Sequence, residues 1–354
     1  MTLELYLEVD EVRLVTADDV REGDRIGMDI YAADGRLVLR QGMIVTTRLI
    51  EGLKRLQIEG IYIEDERFQD IQVEDGDSMR FRMKAISALN NAFEEITQKR
   101  NFNSKSLIET SEEMVNYLVA EQDPLIQTKN IRTRTGYLLD HSINVAMLSV
   151  LTAKALDYSV EQLRVIGIGA MLHDIGYALP GLKDPYHEHP KAGFDIIRKH
   201  QEIPLMAAHL VLQHHEKTNG TGFPFGVKGK EIREMAQICA VANDFDHHVN
   251  EIDKNRLPHE GIEYIMSKVE TTYDIHIVQA FMRNVVPYPV GTIVSLTNGV
   301  SGIVTEINKT NSSRPVIRVL DKDQTISLLD HQTLFIKEVL SSRDLCFSRE
   351  KEIV

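Results

Sequence analysis

The sequence predicts a multidomain protein: a helical middle domain flanked by a small α+β N-terminal domain and a small, β-barrel-like C-terminal domain. Three observations carry that prediction. The chain has 354 residues, more than one ordinary domain holds. Its apolar spacing is strand-like towards both ends and takes a period of three to four residues in the middle. Asp34-Gly35 and Asn298-Gly299, both favoured hairpin turns, fall in the two ends.

The first predicted domain covers residues 1–77. Strand-like runs extend from Arg25 to Tyr31 and from Arg36 to Arg40, on either side of Asp34-Gly35. A helix is expected from Thr47 to Leu56 with Thr46 as its cap, and Ile61 to Ile63 reads as a further strand. The acidic stretch from Glu64 to Asp77 reads as a linker. The second domain covers residues 78–286. Met83, Ile86, Leu89, Phe93 and Ile96 lie on one helical face, suited equally to a core and to a homodimer interface. Ser159 and Gln162 form a capping box ahead of Leu163, Ile166, Ile168 and Met171, in a helix expected to end by Gly176. Pro190 suits the first turn of another helix and so puts His189 at a helix start. The third domain covers residues 287–354, where VGTIVSL, SGIVTEI, PVIRVL and TLFIKEV read as short strands.

Composition narrows the functional classes. A hydrophobic content of 43% with 26% charged residues is that of a globular protein, and no apolar run is long enough to span a bilayer. The first residues, MTLELYLEVDEVRL, carry early acids and no basic start, so a cytoplasmic setting is expected. Neither Cys239 nor Cys346 belongs to a Cys-x-x-Cys pair, which argues against a zinc finger or a disulfide scaffold. A net charge of −13 opposes binding to DNA, which needs clustered Lys and Arg. A small phosphorylated ligand remains compatible, because bound cations neutralise it locally.

Histidine is where the sequence is most specific. Ten of the thirteen histidines lie between positions 141 and 248, including the pairs His173-Asp174 and His214-His215. Imidazole is the commonest side-chain ligand of first-row transition metals, and a carboxylate can hold two such ions together. Neighbouring residues of a helix point about 100° apart, so each pair is expected to reach one pocket from a single helical turn. A lone His-Asp dipeptide would mean little; the combination with His141, His189 and the second pair predicts a clustered metal site.

The order of these motifs resembles the HD-GYP family of cyclic di-GMP phosphodiesterases, a branch of the HD metal-dependent phosphohydrolases. The matching segments are DHSINVA at His141, MLHDIGY at His173-Asp174, HPKAGF at His189, QHHEKTNGTGFPFGVKGKEI from Gln213, and AVANDFD around Asn243. The resemblance implies an all-α HD-type domain that hydrolyses cyclic di-GMP to pGpG, and further to GMP, at a binuclear centre. It implies His141, His173, Asp174 and Asn243 as ligands of one metal, and His189, His214 and His215 with bridging Asp174 as ligands of the second. His173 and Asp174 carry the catalytic assignment. Members with a third metal have an acid where this chain has Tyr137, so two ions are expected. Iron or manganese suits a mixed histidine and carboxylate set better than magnesium or calcium, and zinc stays compatible.

Several positions depart from the family pattern. Tyr177 stands where a Lys usually meets the substrate phosphate; a phenol donates one hydrogen bond but brings no charge. Asn243 stands where an Asp ligand is usual, which leaves Asp244 or Asp246 to compensate. Gly222-Phe223-Pro224 replaces Gly-Tyr-Pro and is expected to serve contacts with signalling proteins. The segment between Asp174 and His189 is short, which predicts an open pocket. Lys228, Lys254 and Arg256 are the expected substrate contacts beside Tyr177, and Glu216 is expected to orient a histidine. His187 and His200 are expected on the surface, His209 in the core, and His247 and His248 outside the ligand set. These departures favour an alternative, a catalytically weak domain that binds metal or nucleotide and acts through protein partners.

Overall fold

The structure is a computed structural model that describes residues 12–16, 20–27, 30–31, 37–55, 60–64, 76–120, 137–250, 256, 258–308, 310–320, 322 and 324–340. The chain divides into two compact units, one of residues 77–129 and 135–285, the other of residues 1–76, 130–134 and 286–354.

In the N-terminal part, β1 (Val12–Thr16), β2 (Ile30–Tyr31), β3 (Leu37–Leu39), α1 (Thr47–Arg55) and β4 (Gly60–Glu64) follow in order. β1 pairs antiparallel with β4, and β2 with β3. Ile26, Val45, Leu53, Ile61 and Ile63 form their buried cluster. Arg25 and Ile26 make isolated bridges to Ile44 and Ile63 rather than a continuous strand. The Asp34-Gly35 turn and residues 65–75 of the linker lie outside the described residues.

The helical unit consists of α2 (Gly76–Lys99), α3 (Lys105–Ala120), α4 (Tyr137–Lys154), α5 (Val160–Met171), α6 (Pro185–Ile197), α7 (Leu205–Gln213), α8 (Glu234–Asn250), α9 (Pro258–Met266) and α10 (Ile275–Met282). Helix α4 is apolar on nearly all sides and is buried from Leu139 to Ala153 apart from Asp140, as a central helix must be. It packs on α5 and α8, while α5 packs on α3 and α7. Ile86, Leu89 and Ile96 of α2 face this core, and Phe93 is half-buried; the side chain of Met83 lies outside the described residues. No described helix is long and apolar enough to cross a membrane.

Three helix boundaries differ from expectation, and each difference moves a histidine. Helix α5 starts on its Ser159–Gln162 capping box as predicted but ends at Met171, so His173 and Asp174 sit in the turn before a 3-10 segment, Ile175–Ala178. The His173 Nδ1 donates to the Ala170 carbonyl at 2.8 Å, claiming the acceptor that the Asp174 amide would use if the helix continued. His214 ends α7 in the same way, its Nδ1 bonded to the Val211 carbonyl at 2.7 Å. Helix α6 begins at Pro185, with Asp184 accepting from the His187 amide, so His189 lies a turn inside the helix and Pro190 is interior.

In the C-terminal part, β5 (Ile293–Leu296), β6 (Ser301–Glu306), β7 (Val316–Val319), β8 (Thr325–Ser327) and β9 (Ile336–Val339) make one antiparallel sheet in the order β8-β7-β6-β5-β9. The short β8 was not expected, because three residues are too few to show alternation.

Candidate metal centre

Five segments of the helical unit deliver the sequence-predicted ligands to one place. His141 comes from α4, His173 and Asp174 from the turn after α5, His189 from α6, His214 and His215 from the end of α7, and Asn243 from α8. Two groups of donor atoms form, each with all atoms within 4.8 Å of one another: His141, His173 and Asp174, and Asp174, His189, His214 and His215. Asp174 belongs to both, and its two oxygens divide the work. Oδ2 lies 3.4 Å from His173 Nε2 and 3.8 Å from His141 Nε2. Oδ1 lies 3.3 Å from His189 Nε2 and 3.8 Å from His214 Nε2.

The hydrogen bonds on the far side of each ring fix what these nitrogens present. His173 Nδ1 faces the Ala170 carbonyl, His189 Nδ1 the Pro185 carbonyl at 3.1 Å, His214 Nδ1 the Val211 carbonyl, and His141 Nδ1 the Asp246 carboxylate at 2.8 Å. All four partners only accept, so each Nδ1 carries a proton, and in the neutral ring that leaves a bare lone pair at Nε2. Those lone pairs face one another: His141 and His173 Nε2 are 3.2 Å apart, as are His189 and His214 Nε2. Two acceptors at that distance repel unless a cation lies between them. The donor set therefore fits divalent metal, one ion for each group, with Asp174 common to both.

Asn243 joins the first group through Oδ1, 2.9 Å from His141 Nε2, while its Nδ2 is buried with no partner. An amide turned with its acceptor towards other acceptors is the orientation that a cation rewards. Asp246 does not take its place in that group: its carboxylate is fully buried on the opposite side of His141, where Asn144 and Asn250 also donate to it. Arg82 donates in turn to Asn144 at 2.8 Å. This chain from Arg82 to His141 escaped the sequence reading; the three-residue spacing of His141 and Asn144 was its visible trace. Asp244 is bonded to the Tyr273 hydroxyl.

Electrostatics favours neutral imidazoles on the α7 side. Burial, together with the neighbouring histidines, holds His214 and His215 well below the usual histidine range. For Asp174, burial alone would push the carboxyl up, but the charges and hydrogen bonds of His173, His189 and His141 prevail and hold it well down. Burial likewise opposes protonation of His173, yet Asp174 raises it.

The rim is aromatic. Tyr177 does not extend like the Lys it replaces; it stacks on the His189 ring at 4.1 Å between centroids. His141, His173 and His189 have no exposed surface and Asp174 only 3%, so the short segment before His189 does not open the pocket as expected: Tyr177 covers it. Phe223 stacks on His215 at 4.5 Å, and Gly222 allows this, since a Cβ there would meet the His215 carbonyl at 2.4 Å. Glu216 does not orient a histidine: its two oxygens accept the amides of Phe225 and Val227, pinning the loop that carries Phe223.

Lys228 is exposed, with its aliphatic stem along Gly220. Arg256 is bonded to His248, whose ring stacks on Tyr264. Lys254 lies outside the described residues. His247 sits against the His141 ring at 4.1 Å and meets the Tyr137 hydroxyl through Nδ1. His187 is exposed and paired with Asp184, but the His200 ring, expected at the surface, is half-buried against Phe102. His209 is half-buried beside Phe194.

The helical unit thus holds at its centre a carboxylate shared between two histidine groups, a donor set able to hold metal. The family model described as HD domain matches residues 113–277, the part of the chain that carries these donors. A cyclic di-GMP phosphodiesterase of Pseudomonas aeruginosa is 28% identical over 210 residues, 55% of this chain and 50% of that protein. One from Thermotoga maritima is 32% identical over 159 residues, 40% of this chain and 43% of that protein. The chain thus spans about half the length of these curated relatives or less. Among solved structures, an HDG"Y"P protein from Bdellovibrio bacteriovorus shares the fold, with a TM-score of 0.50 at 20% identity over 77% of this chain and 98% of that one.

Proposed function

We propose that the chain is a metal-dependent phosphodiesterase that hydrolyses cyclic di-GMP to pGpG, and in a second round to GMP. The observation that carries this reading is Asp174, whose two oxygens face two separate sets of imidazole lone pairs. His141, His173, Asn243 and Asp174 would hold one ion, and His189, His214, His215 and Asp174 the other; iron or manganese suits this donor set. Such a pair of ions, when bound, supplies an activated water and a clamp on a phosphodiester oxygen. The chain's own part is to present neutral Nε2 atoms by tying each Nδ1 to a carbonyl or to Asp246, and to keep bulk water off His189 with the Tyr177 ring. In the reaction, water oxygen bonds to phosphorus, the P–O bond to the ribose oxygen breaks, and a proton ends on the released hydroxyl. The similarity to curated cyclic di-GMP phosphodiesterases supports the substrate.

The test is direct. The full chain is purified anaerobically with iron or manganese, bound metal is counted, and cyclic di-GMP is followed by chromatography. Loss of the dinucleotide with appearance of pGpG is expected; metal-loaded protein that leaves it intact at equimolar concentration would refute the reading.

A second reading, a domain that binds metal and nucleotide with little turnover and acts through partners at Gly222-Phe223-Pro224, is favoured by the neutral ligand Asn243 and the uncharged Tyr177. Under it, Asn243→Asp or Tyr177→Lys raises turnover about tenfold or more, since each restores a charge at the reacting phosphate or its metal. The same proposal gives the chain three domains, 1–77, 78–286 and 287–354, with a homodimer as its assembly and the cytoplasm as its setting. Register breaks at Ser295/Leu296 and Val304/Glu306 supply curl for a barrel-like C-terminal sheet.

A further inference from the structure

We infer that Tyr186 is the base-stacking residue of this site, its exposed ring face receiving the purine of the nucleotide whose phosphodiester lies at the metal centre. The inference rests on the cyclic dinucleotide reading above. Tyr186 stands in the first turn of α6, three residues before His189, on a helix start held by Asp184. Its ring centroid is 5.6 Å from His215 and 6.5 Å from His189, so it flanks the candidate ligands directly.

Two neighbours hold the ring without covering it. Phe223 lies 5.1 Å away at 52°, and His187 5.0 Å away at 85°, both tilted or edge contacts. The residue remains 54% exposed. A large aromatic kept in place beside the candidate ligands, with most of its surface left to solvent, is the arrangement by which single-stranded bases are bound, because every base has a π face and Tyr loses little conformational freedom on contact. Tyr177 has its ring already stacked on His189. Affinity for the base is then separate from the metal ligands, which hold phosphate.

The chain contains no tryptophan, so Tyr186→Trp creates a single reporter at the platform. Stacked guanine quenches indole emission. Cyclic di-GMP and GMP are expected to quench it, and ribose 5-phosphate, which carries the same phosphate without a base, is expected not to. Absence of quenching by GMP, or equal quenching by ribose 5-phosphate, overturns the inference. In the turnover assay, Tyr186→Ala is expected to raise KM about tenfold with kcat changed less than about twofold and the bound metal count unchanged. A fall in kcat and metal content with KM unmoved overturns the inference as well, since it assigns Tyr186 to holding the pocket. Base-dependent quenching in a protein that never cleaves the dinucleotide retires the phosphodiesterase reading and leaves the stacking residue standing.

Discussion

Asp174 carries a negative charge into a fully buried place and is the one group that both histidine sets share. A buried carboxylate is costly unless it is matched by positive charge. Here the nearest groups are imidazoles whose protons point away, towards Ala170, Pro185, Val211 and Asp246. Asp174→Asn keeps the shape and removes the charge. It should lower bound metal, measured by atomic emission, from about two ions per chain to none, and lower hydrolysis by more than about a hundredfold. His189→Ala touches one group only, and about one ion should remain. Equal loss of metal in both variants would contradict the division of the site around Asp174. The ligand types were legible in the sequence because His and Asp have few other reasons to cluster. The Arg82–Asn144–Asp246 chain was not, since its members lie on three helices and only their packing makes them neighbours.

Among the elements, the turn from Leu172 to Ala178 has the tightest geometry. Gly176 packs so closely on α6 that a Cβ would stand 2.0 Å from the His189 carbonyl and 2.8 Å from the Gly193 amide. Gly176→Ala must push α6 outward, taking His189 with it. A loss of about 2 kcal/mol in a denaturant melt is expected, together with loss of one bound ion, whereas a simple surface change would leave both untouched. The capping box at Ser159 was readable because its two hydrogen bonds are local to four residues. The ends of α5 and α7 were not, because they are set by where the His173 and His214 rings turn, and those rings turn inward for a tertiary reason. The start of α6 was placed too late because Pro190 is interior here, and Pro185 takes the N-terminal role instead.

For the whole molecule, the confronted lone pairs tie metal content to stability. Removing metal with a chelator should lower the melting temperature, and adding iron or manganese back should restore it, because metal binds the folded chain preferentially. The metal-free protein should also be acid-sensitive. The folded values of His214 and His215 lie below the ordinary histidine value of about 6.5, so the unfolded chain binds more protons as pH falls past that value, and stability drops there. His173, raised in the fold, works in the opposite sense: its contribution is complete below about 6.5 and is lost as pH rises through its higher folded value. Burial depresses His247 and His259 as well, so the depressed histidines outnumber the raised one, and calorimetry of chelated protein between pH 7 and pH 5 should show a falling melting temperature. A rise over that interval would mean that His173 dominates.

Which residues could bind metal, that the middle of the chain is helical, and that the last part is a sheet were all evident from spacing and residue type, because periodicity and donor chemistry are properties of short segments. How the donors share the work was not. The resemblance implied that Asp174 bridges, but only where five segments converge does each of its oxygens face its own pair of histidines. Asp246 was expected beside Asn243 and Glu216 on a histidine, yet packing puts one behind His141 and the other under the Phe223 loop. Orientation across helices arises from long-range packing, which leaves no periodic trace along the chain.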